Sequence, residues 1–334
     1  MKNYIPVEVY PLVESTDWMK LTGELPVKMT NDYLFRALLQ SDNDTLKSLL
    51  ASVLRIRSKE IKSAKVTNPI LLGEAVGDKI FIMDVKVEMN DDTLIDLEMQ
   101  VIKERGWEDR SLSYICRSYD QLNAGMVYSQ AKPVRQIAFC DFTLFEDYPE
   151  FFANYKLINV RNKESVYTEK FIISNINLTR PDLATQDDKE YGLDEWCRMF
   201  KAETWEDMKM LAENNAVMGK AISGIWQLTE EEKIREQCRA REEWLINDKW
   251  KTDMIEQQSQ TITGQQELIK DLQKSNKDLQ KSNKDLQKSN KDLKEQLKML
   301  KETNTVLKSD MTGLQEQMSV MQKQIAAIQE QQDS

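Results

Sequence analysis

The most regular pattern of apolar and polar positions lies in the last quarter of the chain, where a seven-residue unit repeats. The unit Asp-Leu-Gln-Lys-Ser-Asn-Lys begins at Asp271 and occurs three times in succession, and a variant begins at Asp292. With Leu272 at heptad position d, every seventh residue through Ile328 is Leu, Met or Ile. An unbroken apolar d position is typical of a coiled coil. Residues 261–334 are therefore predicted to form one.

Asparagine occupies several a positions of this repeat. A buried asparagine is costly, but it can pair with the same residue of a parallel partner, which favours a two-stranded, in-register parallel coil. We therefore expect a homodimer that associates through the C-terminal coiled coil. A disordered polar tail is the alternative, and it leaves the row of leucines unexplained. The asparagines at a are Asn276, Asn283, Asn290 and Asn304.

Residues 1–180 alternate between stretches of helical spacing and stretches of period two, with turn residues between them. This alternation predicts an α/β core. Residues 181–260 are acidic and are predicted to form a helical extension. The predicted elements are a helix over 30–40 with Thr30 as its N-cap, a helix capped by Asp42 or Asn43, a hairpin of strands 79–88 and 93–101, a helix over 107–130, and strands over 134–142 and 171–177.

The composition excludes several kinds of chemistry. The chain has no histidine and a net charge of -10. Catalytic triads that need imidazole and zinc sites with histidine ligands are therefore excluded. The four cysteines are far apart in the sequence, which indicates reduced thiols rather than a disulfide framework or a zinc ribbon. The first twenty residues hold no long apolar run and the mean hydropathy is -0.59, so we expect a cytoplasmic protein without a membrane segment.

The predicted hairpin brings acidic residues together. Period-two alternation places Asp84 and Lys86 on one face of the first strand, and Asp96 and Glu98 on one face of the second. A turn near residues 90–92 puts Asp84 and Glu98 at similar heights. Two carboxylates at such a place repel each other unless a proton or a cation intervenes, and Mg²⁺ is a cation that accepts one or two carboxylates. A hairpin with an ordinary solvated acidic face is the alternative. Asp96 is nearer the turn, and we expect it to be more hydrated than Glu98.

Four segments resemble a known family. The spacing from Asp84 to Glu98-x-Gln100 resembles the PD-(D/E)XK nuclease superfamily, and the strand LIDLEMQ (94–100) resembles its recombination-promoting nuclease and putative transposase family more closely. The further similar segments are NDYLFRALL (31–39), with the family's Asp-x-x-Phe-Lys/Arg pattern, RSLSYICRSYDQLNAGMVY (110–128) and PVRQIAF (133–139).

The resemblance implies a restriction-endonuclease-like core and cleavage of DNA that depends on Mg²⁺ or another divalent cation. By position, Asp84 and Glu98 become metal ligands, and Gln100 takes the place of the superfamily's lysine. Glutamine can orient a water molecule but cannot deprotonate it. Activation of water would therefore fall to the metal or to a neighbour such as Lys86. Asp32 becomes a further residue that could help to bind metal or substrate.

Cationic side chains suggest where phosphates would bind. Arg110 and Arg117 are seven residues apart and share a face of the predicted helix, so they could contact phosphates near the metal. A basic segment over 55–65 is a second candidate, and ordinary solvated cations are the alternative for both.

These features together predict an α/β protein with a restriction-endonuclease-like core (1–180), an acidic helical extension (181–260) and a C-terminal parallel coiled coil (261–334). The expected function is a metal-dependent DNA endonuclease of the recombination-promoting, transposase-like type. The alternative is a weak or inactive nuclease-like scaffold that binds DNA or protein and dimerises through its coil. A purely structural coiled-coil protein would leave the paired carboxylates unexplained.

Overall fold

The computed structural model describes residues 16–70, 84–90, 92–103, 105–120, 122, 125–213 and 215–332. The chain forms two compact units, one ending at Lys251 and the other beginning at Thr252. The expectations for residues 1–15, for the start of the first hairpin strand and for Asp91 lie outside the described residues.

Helices make up most of the first unit outside its sheet. They are α1 (Asp32–Ser41), α2 (Asn43–Leu54), α3 (Trp107–Tyr119), α4 (Gln186–Glu190), α5 (Leu193–Lys201), α6 (Trp205–Ala212) and α7 (Ala216–Glu230). Single 3₁₀ turns lie at Asp17–Lys20, Ser58–Glu60, Tyr128–Gln130 and Pro181–Leu183. The last helix, α8 (Glu232–Gln332), begins in the first unit and forms the described part of the second.

The described strands are β1 (Ala64–Val66), β2 (Val85–Met89), β3 (Leu94–Gln100), β4 (Val134–Cys140), β5 (Phe152–Asn159) and β6 (Asn162–Asn177). They form one mixed six-stranded sheet in the order β1-β2-β3-β4-β6-β5. Strand β2 pairs antiparallel with both β1 and β3, the strands β3, β4 and β6 run parallel to one another, and β5 pairs antiparallel with β6.

The caps of the first two helices follow from their side chains. Asn31 accepts hydrogen bonds from the backbone N–H groups of Tyr33 and Leu34 and caps α1, so the prediction of Thr30 as the N-cap is wrong by one residue. Asp42 accepts from the N–H of Asp44 and caps α2, as predicted.

Other predicted elements differ in length. The hairpin β2–β3 and the strand β4 are confirmed. The helix predicted over 107–130 ends at Tyr119. Gly125 beyond it has a φ of +92°, a conformation that an α-helix does not contain. Sequence patterns missed β1 and β5, and β6 begins at Asn162 rather than near residue 171.

An aromatic cluster joins the sheet to the helices on one of its faces. The ring of Phe35 in α1 lies 5.8 Å from that of Phe139 in β4 and 5.5 Å from that of Phe200 in α5. Phe139 and Phe200 are 5.2 Å apart, in an edge-to-face arrangement. All three are fully buried. The helices after residue 180 therefore share a core with the sheet, whereas the proposed boundaries at 180 and 260 stay predictions.

Candidate active site

The acidic residues of the hairpin share the sheet face on which α3 lies. The antiparallel register of β2 and β3 places Lys86 opposite Asp96 and Val85 opposite Leu97, and Asp84, the residue before β2, continues this row toward Glu98. The side chains are buried, since Asp84 is 4% exposed and Glu98 is 5% exposed. The sheet therefore brings the predicted pair together on adjoining strands.

The backbone at Asp84 is held from two sides. Its carbonyl oxygen accepts a hydrogen bond of 2.7 Å from Nη1 of Arg36 and one of 2.9 Å from Nδ2 of Asn68. Arg36 also donates to the carbonyl oxygen of Asn68. Because Arg36 belongs to α1 and is 2% exposed, the first helix fixes the place at which Asp84 enters the sheet.

Burial disturbs the titration of two carboxyls. It raises the pKa of Asp84, against the attraction of Arg110, Lys86 and Arg36. It raises the pKa of Asp96 to about 7, and repulsion from Asp84 adds to the effect of burial. Asp96 is 9% exposed and Glu98 is 5% exposed, so both are buried and Asp96 is only slightly more exposed than Glu98, in the expected direction. The site thus collects buried carboxyls whose charged forms are costly.

Arg110 contacts one of the acidic residues of the site directly. Its Nη2 donates to Oε1 of Glu98 at 2.9 Å. The guanidinium lies over the rings of Trp107 and Tyr114, at 5.5 and 5.2 Å from their centroids. Arg110 therefore holds a predicted metal ligand in this structure, and its assignment to phosphate stays a prediction. Arg117, seven residues further along α3, is exposed.

Gln100 lies two residues beyond Glu98 on the same face. Its Nε2 donates to the carbonyl oxygen of Ile102 at 2.7 Å, which orients the amide. Its partner on the adjacent strand β4 is Cys140, and burial raises the pKa of that thiol. A neutral thiol and an amide cannot take a proton from water near neutral pH. The general base must therefore be another residue, such as one of the carboxylates.

Asp32 is held in an ion pair of its own. Nε of Arg241 donates to both of its carboxylate oxygens at 2.9 and 2.8 Å, and Nη2 donates to Oδ2 at 2.6 Å. Both side chains are buried. Sequence reasoning missed Arg241, because 209 residues separate it from Asp32. It also gave Arg36 no role, although this residue stands at the Lys/Arg position of the segment 31–39.

A cleft of about 240 Å³ opens beside Asp96, between the sheet and α3. Lys86, Gln136 and Ser118 are among its lining residues. Oδ1 of Asp96 and both amide atoms of Gln136 are buried and have no hydrogen-bond partner in the described part of the protein. Orphaned buried polar atoms carry a large desolvation cost. The cleft therefore holds oxygen donors that a proton, water or cation would satisfy.

The donors fit a hard divalent cation. Asp84 and Glu98 offer carboxylate oxygens on the hairpin, and burial raises the pKa of Asp84, a cost to its charged form that a bound cation would offset. No group of three or more acidic or cysteine side chains with metal-binding geometry occurs within the described ranges. A pair of carboxylates completed by water is nevertheless the kind of set that Mg²⁺ takes.

A comparison with known families shows which family the chain belongs to. The family model described as "PD-(D/E)XK nuclease family transposase" matches residues 29–255. The chain belongs to this family. The match spans the sheet, the acidic pair, Arg110 and Arg241, and it ends near the point where the second unit begins. Neither the curated proteins nor the solved structures yielded a match to this member of the family.

The family supports a nuclease or transposase-like function and a nucleic-acid substrate. In the parts of the chain that the structure describes, no helix is both long and apolar enough to cross a membrane.

The raised pKa of Asp96 predicts how stability depends on pH. Between its ordinary value of 3.8 and about 7, the folded chain keeps a proton that the unfolded chain releases. Stability of the metal-free protein should therefore fall as the pH rises through this window. Urea unfolding in chelator at several pH values measures this slope. Asp96→Asn should flatten it, whereas Asp109→Asn, at an exposed position of α3, should leave it unchanged.

Proposed function

We propose that the protein is a DNA endonuclease of the transposase-like type that requires Mg²⁺ or another divalent cation. The observation that carries the proposal is the buried pair Asp84 and Glu98, which the hairpin register sets side by side on the face below α3. The family match supports the same conclusion, because it covers both residues.

The roles proposed for the residues follow from their chemistry. Asp84 and Glu98 would hold the cation, which when bound polarises a phosphodiester and lowers the pKa of water. Gln100 would orient a water molecule through its fixed amide. Arg110 lies within reach of Glu98, and its guanidinium has the shape and charge to bind a phosphate. Arg241 holds the carboxylate of Asp32, but that carboxylate lies near enough to Asp84 to raise its pKa, so Asp32 would support the site electrostatically.

The test is cleavage of supercoiled plasmid DNA by the full chain. We expect nicking with Mg²⁺ or Mn²⁺, none in the presence of chelator, and recovery when the metal is restored. Calorimetric titration of Mn²⁺ gives a second readout, because the ion should bind the wild-type chain and fail to bind a variant without Asp84. Cleavage that persists in chelator would contradict the metal assignment.

The ion pair between Arg110 and Glu98 favours one other function. A carboxylate that an arginine already neutralises has less need of a metal, and Gln100 supplies no base. A nuclease-like protein that binds DNA without cutting it would have these features. The plasmid assay separates the two functions, since such a protein would retard DNA on a gel and leave it intact.

We propose further that α8 dimerises as a parallel coiled coil. The helix is continuous through the repeat, and its large apolar d residues are exposed in the single chain, Leu279 at 66% and Leu300 at 67%. Such a row of exposed leucines is unfavourable in water and favourable against a second copy.

The two faces of α8 offer a matched test of the dimer. Leu300 and Leu307 lie at d, whereas the equally exposed Met299 and Val306 lie at c, away from the expected seam. Leu300→Asp with Leu307→Asp should lower the mass measured by light scattering to that of one chain. Met299→Asp with Val306→Asp should leave it at two chains. A wild-type mass of one chain would exclude the dimer.

A further inference from the structure

A two-stranded arm extends from the sheet beyond its paired core. It consists of residues 157–167, at the joined ends of β5 and β6. Pairing of β6 with β4 begins at Phe171, so residues 162–170 run past the edge of β4. At about 3.3 Å per residue these residues span about 30 Å. Every residue of the arm is exposed.

Neither face of the arm is covered by other described residues, although the arm carries large apolar side chains. Val160 is 87% exposed and Tyr167 is 86% exposed, and Leu157, Ile158 and Val166 are also exposed. A two-stranded hairpin without a covered face is marginally stable in water. Exposed apolar groups of this size usually mark a surface that binds a partner.

The charge of the arm indicates the kind of partner. Arg161 and Lys163 stand against Glu164 alone, a balance of +1 within a chain whose net charge is -10. Lys156 pairs with Glu169 beyond the arm. The side chains of Arg161 and Lys163 make no hydrogen bond or ion pair with any described residue. Two cations at the tip of an otherwise acidic protein are suited to phosphates.

The base of the arm lies near the acidic pair. The arm leaves the sheet beside Val134, and the row that contains Glu98 and Ala138 lies four residues further along β4. This is a distance of about 13 Å along the strand, and the tip of the arm lies about 30 Å from its base in the opposite direction. The cations at the tip are therefore about 40 Å from Glu98 along the strand direction, somewhat more than the roughly 34 Å of one turn of duplex. One DNA duplex of about one and a half turns or more could contact the tip of the arm and the candidate active site together.

We propose that the β5–β6 arm is a DNA-binding ribbon that holds the substrate duplex beside the active site. This inference rests on the proposed function, because it takes DNA as the substrate. A two-stranded ribbon fits the major groove, which is about 12 Å wide. Arg161 and Lys163 contact phosphates, while Val160 and Tyr167 contact sugars and the methyl groups of thymine.

The experiment compares the full wild-type chain with Arg161→Ala combined with Lys163→Ala. Binding of a fluorescent three-turn duplex is followed by anisotropy in chelator, where no metal-dependent cleavage occurs. The variant should bind the duplex about ten-fold more weakly or worse. The slope of its log Kd against log salt concentration should be smaller by about 2, because each lost phosphate contact removes about 0.9 from that slope. Lys274→Ala with Lys281→Ala, two exposed lysines of α8, is the matched control and should change neither value.

Further measurements separate this inference from the nuclease proposal. Circular dichroism melts of the arm variant should match those of the wild type, since the arm buries no core residue. Cleavage by the variant should show a raised KM and an unchanged kcat. If the arm variant binds duplex as tightly as the wild type, the arm assignment is overturned whether or not the wild type cuts DNA. If binding depends on the arm but no cleavage occurs, the arm assignment stands and the nuclease proposal fails.

Two other outcomes also overturn the inference. A change of particle mass in light scattering without a change in DNA binding would assign the arm to a protein interface. An equal loss of affinity in the α8 control would show that the effect is one of net charge rather than of the arm.

Discussion

Asp84→Asn should lower metal-dependent DNA cleavage by about 100-fold or more, equivalent to about 2.7 kcal/mol in transition-state free energy. The substitution keeps the size of the side chain and removes the charge that would hold a cation. The same variant should be at least as stable as the wild type. Burial raises the pKa of Asp84 in spite of the nearby cations, so the charged carboxylate costs free energy in the metal-free fold. Plasmid cleavage and thermal unfolding in chelator measure the two effects.

Glu88→Gln is the control for this prediction. Glu88 lies on β2, is only partly buried and pairs with Lys132 near the hairpin turn. Its replacement should leave the cleavage rate within about two-fold, because a surface pair of this kind contributes little. Cleavage by Asp84→Asn at the wild-type rate would exclude Asp84 as a metal ligand. A loss of activity together with a lower melting temperature would indicate a structural role instead.

Arg241→Met should destabilise the first unit by about 3–5 kcal/mol, the usual cost of removing one partner of a buried ion pair. The carboxylate of Asp32 would remain buried without the three hydrogen bonds that Arg241 donates. The double variant Asp32→Asn, Arg241→Met should recover most of the loss, because no uncompensated charge remains. Urea unfolding followed by tryptophan fluorescence measures these differences.

Arg239→Met provides the matched control on the same helix. Arg239 pairs with Glu232 at 3.4 Å, but both side chains are more than half exposed. Its loss should cost less than about 1 kcal/mol. If Arg241→Met were equally mild, the ion pair would not anchor α8 to α1. The double variant, once shown to be folded, also reveals whether DNA cleavage needs the carboxylate of Asp32.

Local patterns were sufficient to predict much of the sheet and both of the central acids. The alternation in LIDLEMQ, together with the turn near residue 90, fixes which residues of the hairpin share a face, and β2, β3 and their antiparallel pairing are confirmed. The heptad repeat likewise predicted a continuous helix, which α8 confirms. Its pairing with a second copy stays a proposal. Residues 157–167 gave no strand signal, because all of them are exposed and no apolar alternation is needed.

The roles of the cations could be assigned only from the tertiary structure. The sequence suggested that Arg110 contacts phosphate, whereas the fold places its guanidinium 2.9 Å from Oε1 of Glu98. It gave no reason to join Asp32 to Arg241, or Arg36 to the carbonyl of Asp84. These contacts link elements that are distant along the chain, and periodicity reports only on neighbours.

By itself, the sequence determined which side chains lie on which face of each strand and helix, since that follows from backbone geometry over a few residues. It thus determined that Asp84, Glu98 and Gln100 share one face and that α8 carries an apolar seam. The tertiary structure alone decided how deeply the acids are buried, and which cations reach them. Those quantities depend on the atoms that the folded chain brings around each carboxyl, and burial is what turns an acidic strand face into a site where charged carboxylates are costly.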